Sequence, residues 1–147
     1  AEKSLQVITN SLPIASLFSE VGSVDTVVIG GSIYRRLGVL LGPLCEQYFD
    51  QAHADLAILS GTGITENGVW NHNALTVAAQ RKMIAAADRT IFALDNSKFG
   101  RKALGLTTAF APRFTIVTDV RPAPAVVKAI EAAGSKLTLA SRTPAPR

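Results

Sequence analysis

At 147 residues, 48% apolar and 18% charged, the chain has the length and composition of one globular domain with a real core, which excludes a disordered or fibrous protein. A lone cysteine, Cys45, excludes an intramolecular disulfide framework and a cysteine zinc site, and His53 and His72 match no local metal spacing. Fifteen basic against eleven acidic residues give a net charge of +4, which reads as a mildly basic surface or as affinity for anions; the basic residues form no block of five that would mark a nucleic-acid arm.

In chain order, a β-branched run predicts a first strand at residues 5–9. Ser11 caps a first helix, with Pro13 in its opening turn and Gly22 beyond its end. A second strand is expected at 26–29. A helix opens at Gly42–Pro43, with Leu44, Cys45, Tyr48 and Phe49 on one face. Strand 56–59 precedes a helix from about Asn73 to Ala87, in which Leu75, Ala79 and Met83 recur at i+4 and Gln80, Arg81 and Lys82 turn to solvent. Strand 90–94 follows. The stretch 101–111 is ambiguous and compatible with a short helix. Strand 114–117 leads to a helix from about Pro122 to Gly134 with Val126, Ile130 and Ala133 as its buried stripe, and strand 136–139 closes the pattern. Residues 141–147, with two prolines, are expected to hang free. No apolar run approaches the roughly 18 residues of a membrane helix, and no signal peptide is in view. With one thiol, a cytoplasmic setting is expected.

Near-continuous apolar strands alternating with helices predict an α/β fold. It is Rossmann-like, with a mostly parallel sheet and helices on both faces, and its ligands bind where strands end. Those ends are rich in Gly, Ser, Thr and Asn: Thr9-Asn10-Ser11, Gly30-Gly31-Ser32, Ser60 to Thr65, Asp95 to Gly100 and Thr118-Asp119. Gly30–Gly31 reads equally as a tight turn or as a close backbone approach to a ligand. Ser60-Gly61-Thr62-Gly63 lacks the Gly-Lys-Ser/Thr of a phosphate loop and the spacing of a dinucleotide fingerprint, so alone it reads as a flexible loop. Thr118-Asp119 reads as a helix N-cap. Asp95-Asn96-Ser97-Lys98-Phe99-Gly100 is the sharpest segment. It is either a surface turn with a solvated lysine, or a lysine aimed at a phosphate or sugar hydroxyl, with Asp95 orienting the lysine or the ligand.

The ordered set Thr9-Asn10-Ser11, Gly30-Gly31, Gly61-x-Gly63-Ile64, Gly68, Arg81-Lys82-Met83-Ile84, Asp95-Asn96-Ser97-Lys98-Phe99-Gly100 and Thr118-Asp119 resembles the effector-sensing domain of DeoR-type transcriptional repressors. The resemblance runs to about Ala140. It implies a sensor domain over residues 1–140, similar in fold to ribose-5-phosphate isomerase and the glucosamine-6-phosphate deaminase group. That domain binds a phosphorylated sugar and controls a DNA-binding helix-turn-helix absent from this chain. Carried over residue by residue, it places the effector against Asn10, Gly30, Gly31, Gly61, Gly63, Asp95, Ser97 and Lys98. Lys98 contacts phosphate or a sugar oxygen, and Asn10 and Asp95 read hydroxyls. Arg35 and Arg36 are secondary candidates for anion or subunit contact. No metal, cofactor or catalytic residue is implied, and a homo-oligomer without membrane contact is expected. A phosphosugar isomerase or deaminase on the related fold is the alternative, with Lys98 and Asp95 moving protons. Two departures stand out. The family's D-x-G-T-T phosphate loop is missing, so the chain reads as an N-terminally truncated piece. Gln80 occupies the place of a common lysine, so a charge is missing there unless that position faces solvent.

Overall fold

The run LQVIT forms strand β1 (Leu5–Thr9), the first element of a computed structural model that describes residues 4–141. The chain divides into two compact units, Ala1–Ala52 and His53–Arg147. In the first, helix α1 (Leu12–Ser19) crosses from β1 to β2 (Val24–Val28), which lies parallel to β1 with Val7 opposite Thr26. Ser11 caps α1 as its sequence position predicts, its Oγ accepting the Ile14 N–H at 3.4 Å. Strands β3 (Ser32–Tyr34) and β4 (Val39–Leu41) form an antiparallel hairpin. Helix α2 (Pro43–Asp50) then buries Cys45 and Phe49, one turn apart. Leu44 and Tyr48, expected on that face, are exposed: an eight-residue helix buries one i, i+4 row, and these two sit about 100° to its side.

In the second unit come β5 (Ala54–Leu59), β6 (Gly63–Thr65), β7 (Gly68–Asn71), α3 (Ala74–Ala86), β8 (Ala87–Ala93), β9 (Gly105–Thr108), β10 (Phe114–Thr118), α4 (Pro124–Ala132) and β11 (Lys136–Leu139). A four-stranded parallel sheet runs β11-β10-β8-β5, flanked by helices, as the alternating pattern predicts. Phe92, Leu94, Phe114 and Ile116 form the centre of its core, with Ile84 of α3, Val126 and Ile130 of α4, and Ile64 and Val69 of β6 and β7. Phe92 and Phe114 meet edge to face at 5.4 Å between centroids. Burial of each such side chain contributes about 1.5–3 kcal/mol. Strands covered on both faces are found at β10, where no residue is exposed. At β5, Leu56 and Ile58 stay 37% and 68% exposed.

Several expectations need correction. Residues 101–111 hold strand β9 rather than a helix. It joins β6 and β7 in a small antiparallel sheet of order β6-β7-β9, because β7 offers it a free edge. Helix α4 starts at Pro124, not Pro122, and its N-cap is Ala123 with no side-chain capping bond, so Thr118-Asp119 does not cap it. In α3 the buried residues are Val77, Ala79 and Ile84, whereas Leu75 is 47% exposed. Gln80 and Arg81 do not simply face water: Arg81 donates to the carbonyls of Leu106 and Thr107 on β9, at 2.7 and 3.1 Å. The expected free tail, beyond Ser141, falls outside the described residues.

Candidate functional site

Every residue of the Asp95–Gly100 segment but Lys98 has a local reason for its place. Strand β8 ends at Ala93, and Leu94 anchors the chain in the core through its N–H on the Val117 carbonyl at 3.0 Å. Asp95 Oδ1 accepts the Ser97 N–H at 2.8 Å and so caps a single 3-10 turn, Asn96–Lys98. Phe99 packs against the core cluster. Gly100 takes φ +77°, a left-handed conformation that favours glycine, and its N–H reaches the Ile64 carbonyl on β6 at 2.8 Å. Lys98, half-buried, is left over: among the described residues its Nζ makes no hydrogen bond or ion pair. Hydrogen bonds from the Ser97 side chain and then its backbone N–H hold the Asp95 carboxyl below the usual carboxylate range, with the Lys98 charge adding to the effect.

Asp119, at the end of β10, grips the same turn from the neighbouring strand, its Oδ1 accepting the Asn96 N–H at 2.7 Å. Sequence reasoning assigned it to a helix cap; the signal that could have found its partner is its position one residue past a strand adjacent to β8. The two carboxylates lie with Ala93, Leu94, Val117, Thr118 and Ala140 around a shallow, open depression of about 280 Å³, which Lys98 and Ser97 do not line. The depression is at the carboxyl ends of parallel strands, where open α/β sheets take ligands.

The loop after β5 lies beside this turn through Ile64, which also forms a parallel bridge with Phe99. It is tied at three points. Gln80 Nε2 donates to the Ser60 carbonyl at 3.1 Å, the Thr62 N–H donates to the Trp70 carbonyl at 2.8 Å, and Thr62 Oγ1 and His72 Nδ1 are 2.7 Å apart. Its glycines answer to packing. A Cβ at Gly61 would come within 2.6 Å of the Val69 side chain, and one at Gly63 would overlap the Arg101 carbonyl oxygen. Trp70 and His72 escaped sequence reasoning, and the roles of Thr62 and Gln80 were not read there, because all four act through hydrogen bonds between elements, which leave no periodic signal.

In the first unit Asn10 clamps β4. Its Nδ2 donates to the Leu40 carbonyl at 2.9 Å and its own carbonyl accepts the Leu40 N–H at 2.8 Å. Burial pushes the Cys45 thiol up, opposed by an Asn10 hydrogen bond. A Cβ at Gly31 would lie 2.5 Å from the Leu41 carbonyl oxygen, whereas nothing lies within 4 Å of one at Gly30. Arg35 and Arg36 are exposed on the turn between β3 and β4. Of the eight candidate residues, Asn10, Gly30 and Gly31 thus belong to the first unit, and Gly61, Gly63, Asp95, Ser97 and Lys98 gather at strand ends of the second. Among the described residues no group of three His, Cys, Asp or Glu could hold a metal, and no helix is long and apolar enough to cross a membrane.

The chain is 32% identical over 114 residues to an L-fucose operon activator of Haemophilus influenzae, covering 77% of this chain and 46% of that protein. It is 30% identical over 135 residues to the uncharacterized HTH-type transcriptional regulator YulB of Bacillus subtilis, covering 91% and 52%. It is 27% identical over 133 residues to the HTH-type transcriptional regulator UlaR of Salmonella, covering 90% and 52%. The chain therefore spans about half the length of the curated relatives it matches. The family model described as the DeoR C terminal sensor domain matches residues 1–120, and the chain belongs to this family.

Proposed function

We infer that this chain is the ligand-sensing part of a cytoplasmic, homo-oligomeric DeoR-type transcriptional regulator and that its effector is a phosphorylated sugar. The observation that carries the reading is the half-buried, unpartnered Lys98 ammonium beside the Asp95 carboxylate at the strand ends. A lysine without a partner is a point charge suited to phosphate. Asp95 is engaged by Ser97, and the acceptor capacity its carboxylate has left suits sugar hydroxyls, so one site offers opposite charges to the two ends of one small molecule. Ser97 offers a hydroxyl on the same turn, and the glycine loop lies beside it. In the first unit Gly30 has the open backbone a ligand needs; Asn10 and Gly31 also serve β4. The effector signal would reach DNA through a helix-turn-helix outside these 147 residues. The relatives, an operon activator and two transcriptional regulators by name, support a regulatory role.

A melting panel of phosphorylated pentoses, hexoses and 6-deoxyhexoses, with inorganic phosphate and the unphosphorylated sugars as controls, tests this. A ligand at 100 times its Kd stabilises by about 2.7 kcal/mol, a rise of about 5–10 °C for a domain of this size. The expected result is a selective rise with no conversion of the sugar. Conversion to an isomer, abolished by Asp95→Asn, would overturn the sensor-only reading.

A further inference from the structure

We propose that Gln80 is a positioning residue that presets the Ser60–Gly63 loop for the effector; the proposal rests on the sensor reading above. Gln80 lies on α3 and does two opposite things with one amide. Its Oε1 accepts from Asn71 Nδ2 at 2.9 Å, and its Nε2 donates to the Ser60 carbonyl at 3.1 Å, at the first residue after β5. Asn71 is 5% exposed and also donates to Thr107 Oγ1 at 2.7 Å, and Thr107 is 3% exposed. This chain has one consistent orientation. Asn71 spends its Nδ2 hydrogens on Thr107 and Gln80, so the Gln80 oxygen must face Asn71 and its nitrogen must face Ser60. Turning the Gln80 amide over would set donor against donor and acceptor against acceptor. The Thr107 hydroxyl can donate or accept, so the fixed point is the Ser60 carbonyl, which only accepts: it sets the Gln80 nitrogen toward the loop and the Gln80 oxygen toward Asn71, and the buried Asn71–Thr107 pair on β7 and β9 then holds that amide in place at the upstream end of the loop.

The downstream end is held by Thr62 on Trp70 and His72. Between the two anchors is Gly61, whose missing side chain lets the loop lie against Val69. A loop fixed at both ends does not have to be ordered by the ligand, and avoiding that ordering is what preorganisation contributes to affinity. Loss of one such hydrogen bond corresponds to a change of about fivefold in an equilibrium constant.

The test compares wild type with Gln80→Met, which keeps the volume and removes both hydrogen bonds, and with Gln80→Lys, which restores a donor for the Ser60 carbonyl. Amide exchange at Thr62, read by NMR without ligand, is expected to quicken about fivefold in Gln80→Met and to return toward wild type in Gln80→Lys. Exchange at Phe92 in the core should stay unchanged in both. Ribose 5-phosphate, fructose 6-phosphate and fucose 1-phosphate are then titrated against Trp70 emission. The sugar that binds wild type should bind Gln80→Met about fivefold more weakly and Gln80→Lys nearly as well as wild type. Unchanged Thr62 exchange in Gln80→Met overturns the proposal whatever the sugars do. A loosened loop with unchanged affinity overturns the positioning role. Failure of all three sugars on wild type counts against the sensor reading instead, and the exchange arm tells the two failures apart.

Discussion

Adding one methyl group at each of two glycines should separate packing from ligand binding. A Cβ at Gly63 would overlap the Arg101 carbonyl oxygen, a backbone atom that cannot rotate away. Strand β6 would have to move, and with it the Gly63–Trp70 register and the 2.8 Å bond from the Gly100 N–H to the Ile64 carbonyl. Overpacking of this kind costs about 1–3 kcal/mol, and at about 2–4 °C per kcal/mol a 2 kcal/mol cost lowers Tm by about 6 °C. At Gly30 nothing lies within 4 Å of the added carbon. Gly30→Ala should leave stability within about 0.5 kcal/mol. The single tryptophan, Trp70, is the register partner of Gly63, so its emission during urea unfolding reports the second unit directly. Circular dichroism of the same samples covers the first unit. Gly63→Ala within about 0.5 kcal/mol of wild type would mean that β6 is not packed against the Arg101 carbonyl. If Gly30→Ala keeps its stability but loses sugar-phosphate binding, Gly30 is a ligand contact rather than a turn residue.

Asn71→Ala leaves the buried Thr107 hydroxyl and the Gln80 oxygen without a donor and should cost about 1–3 kcal/mol by urea denaturation; a cost below about 0.5 kcal/mol would mean that the Asn71–Thr107 bond is not made. Asp119→Ala removes the acceptor of the Asn96 N–H, so exchange of that amide should quicken severalfold while the global melting curve barely moves; unchanged exchange would contradict the cross-strand grip on the turn. The His53 imidazole and Asp88 carboxylate are 3.0 Å apart on the surface, and that hydrogen bond, then the Asp88 charge, raises the His53 pKa. A raised histidine pKa means stability that is fully present below the unfolded value, about 6.5, and lost as pH climbs through the folded value. The small melting advantage of wild type over Asp88→Asn should therefore shrink between pH 5.5 and pH 8.5, and an advantage that grows with pH would contradict the pairing.

The parallel sheet was legible because its strands are β-branched runs, and the helices between them carry caps and prolines that mark their starts. Ser11 and Asn73 both cap helices as their positions suggest. The small antiparallel pieces were not legible. Strands β3, β4, β6, β7 and β9 are three or four residues long and pair antiparallel, outside the strand–helix alternation that marked the equally short β11. They are held by pairing with distant segments, as β9 is by β7. At the candidate site, the Asp95–Gly100 turn was readable as a unit because its own residues make it. The residues that steady it were not. Asp119 looked like a helix cap because a proline-started helix follows, and only the side-by-side placement of β8 and β10 turns its carboxylate toward Asn96. Gln80 looked like a missing charge or a solvent-facing residue, and its role appears only once α3 lies beside Ser60 and Asn71.

The most direct test of the central claim is a calorimetric titration of wild type and Lys98→Ala with the sugar phosphate that most raises Tm, beside its unphosphorylated sugar. The account predicts saturable binding of the phosphorylated form by wild type and little or none of the free sugar. Because hydrogen bonds to charged groups contribute about 1.5–3 kcal/mol, Lys98→Ala should bind at least about tenfold more weakly at an unchanged melting temperature. Equal affinity of the two proteins, or equal binding of the two sugars, would contradict it.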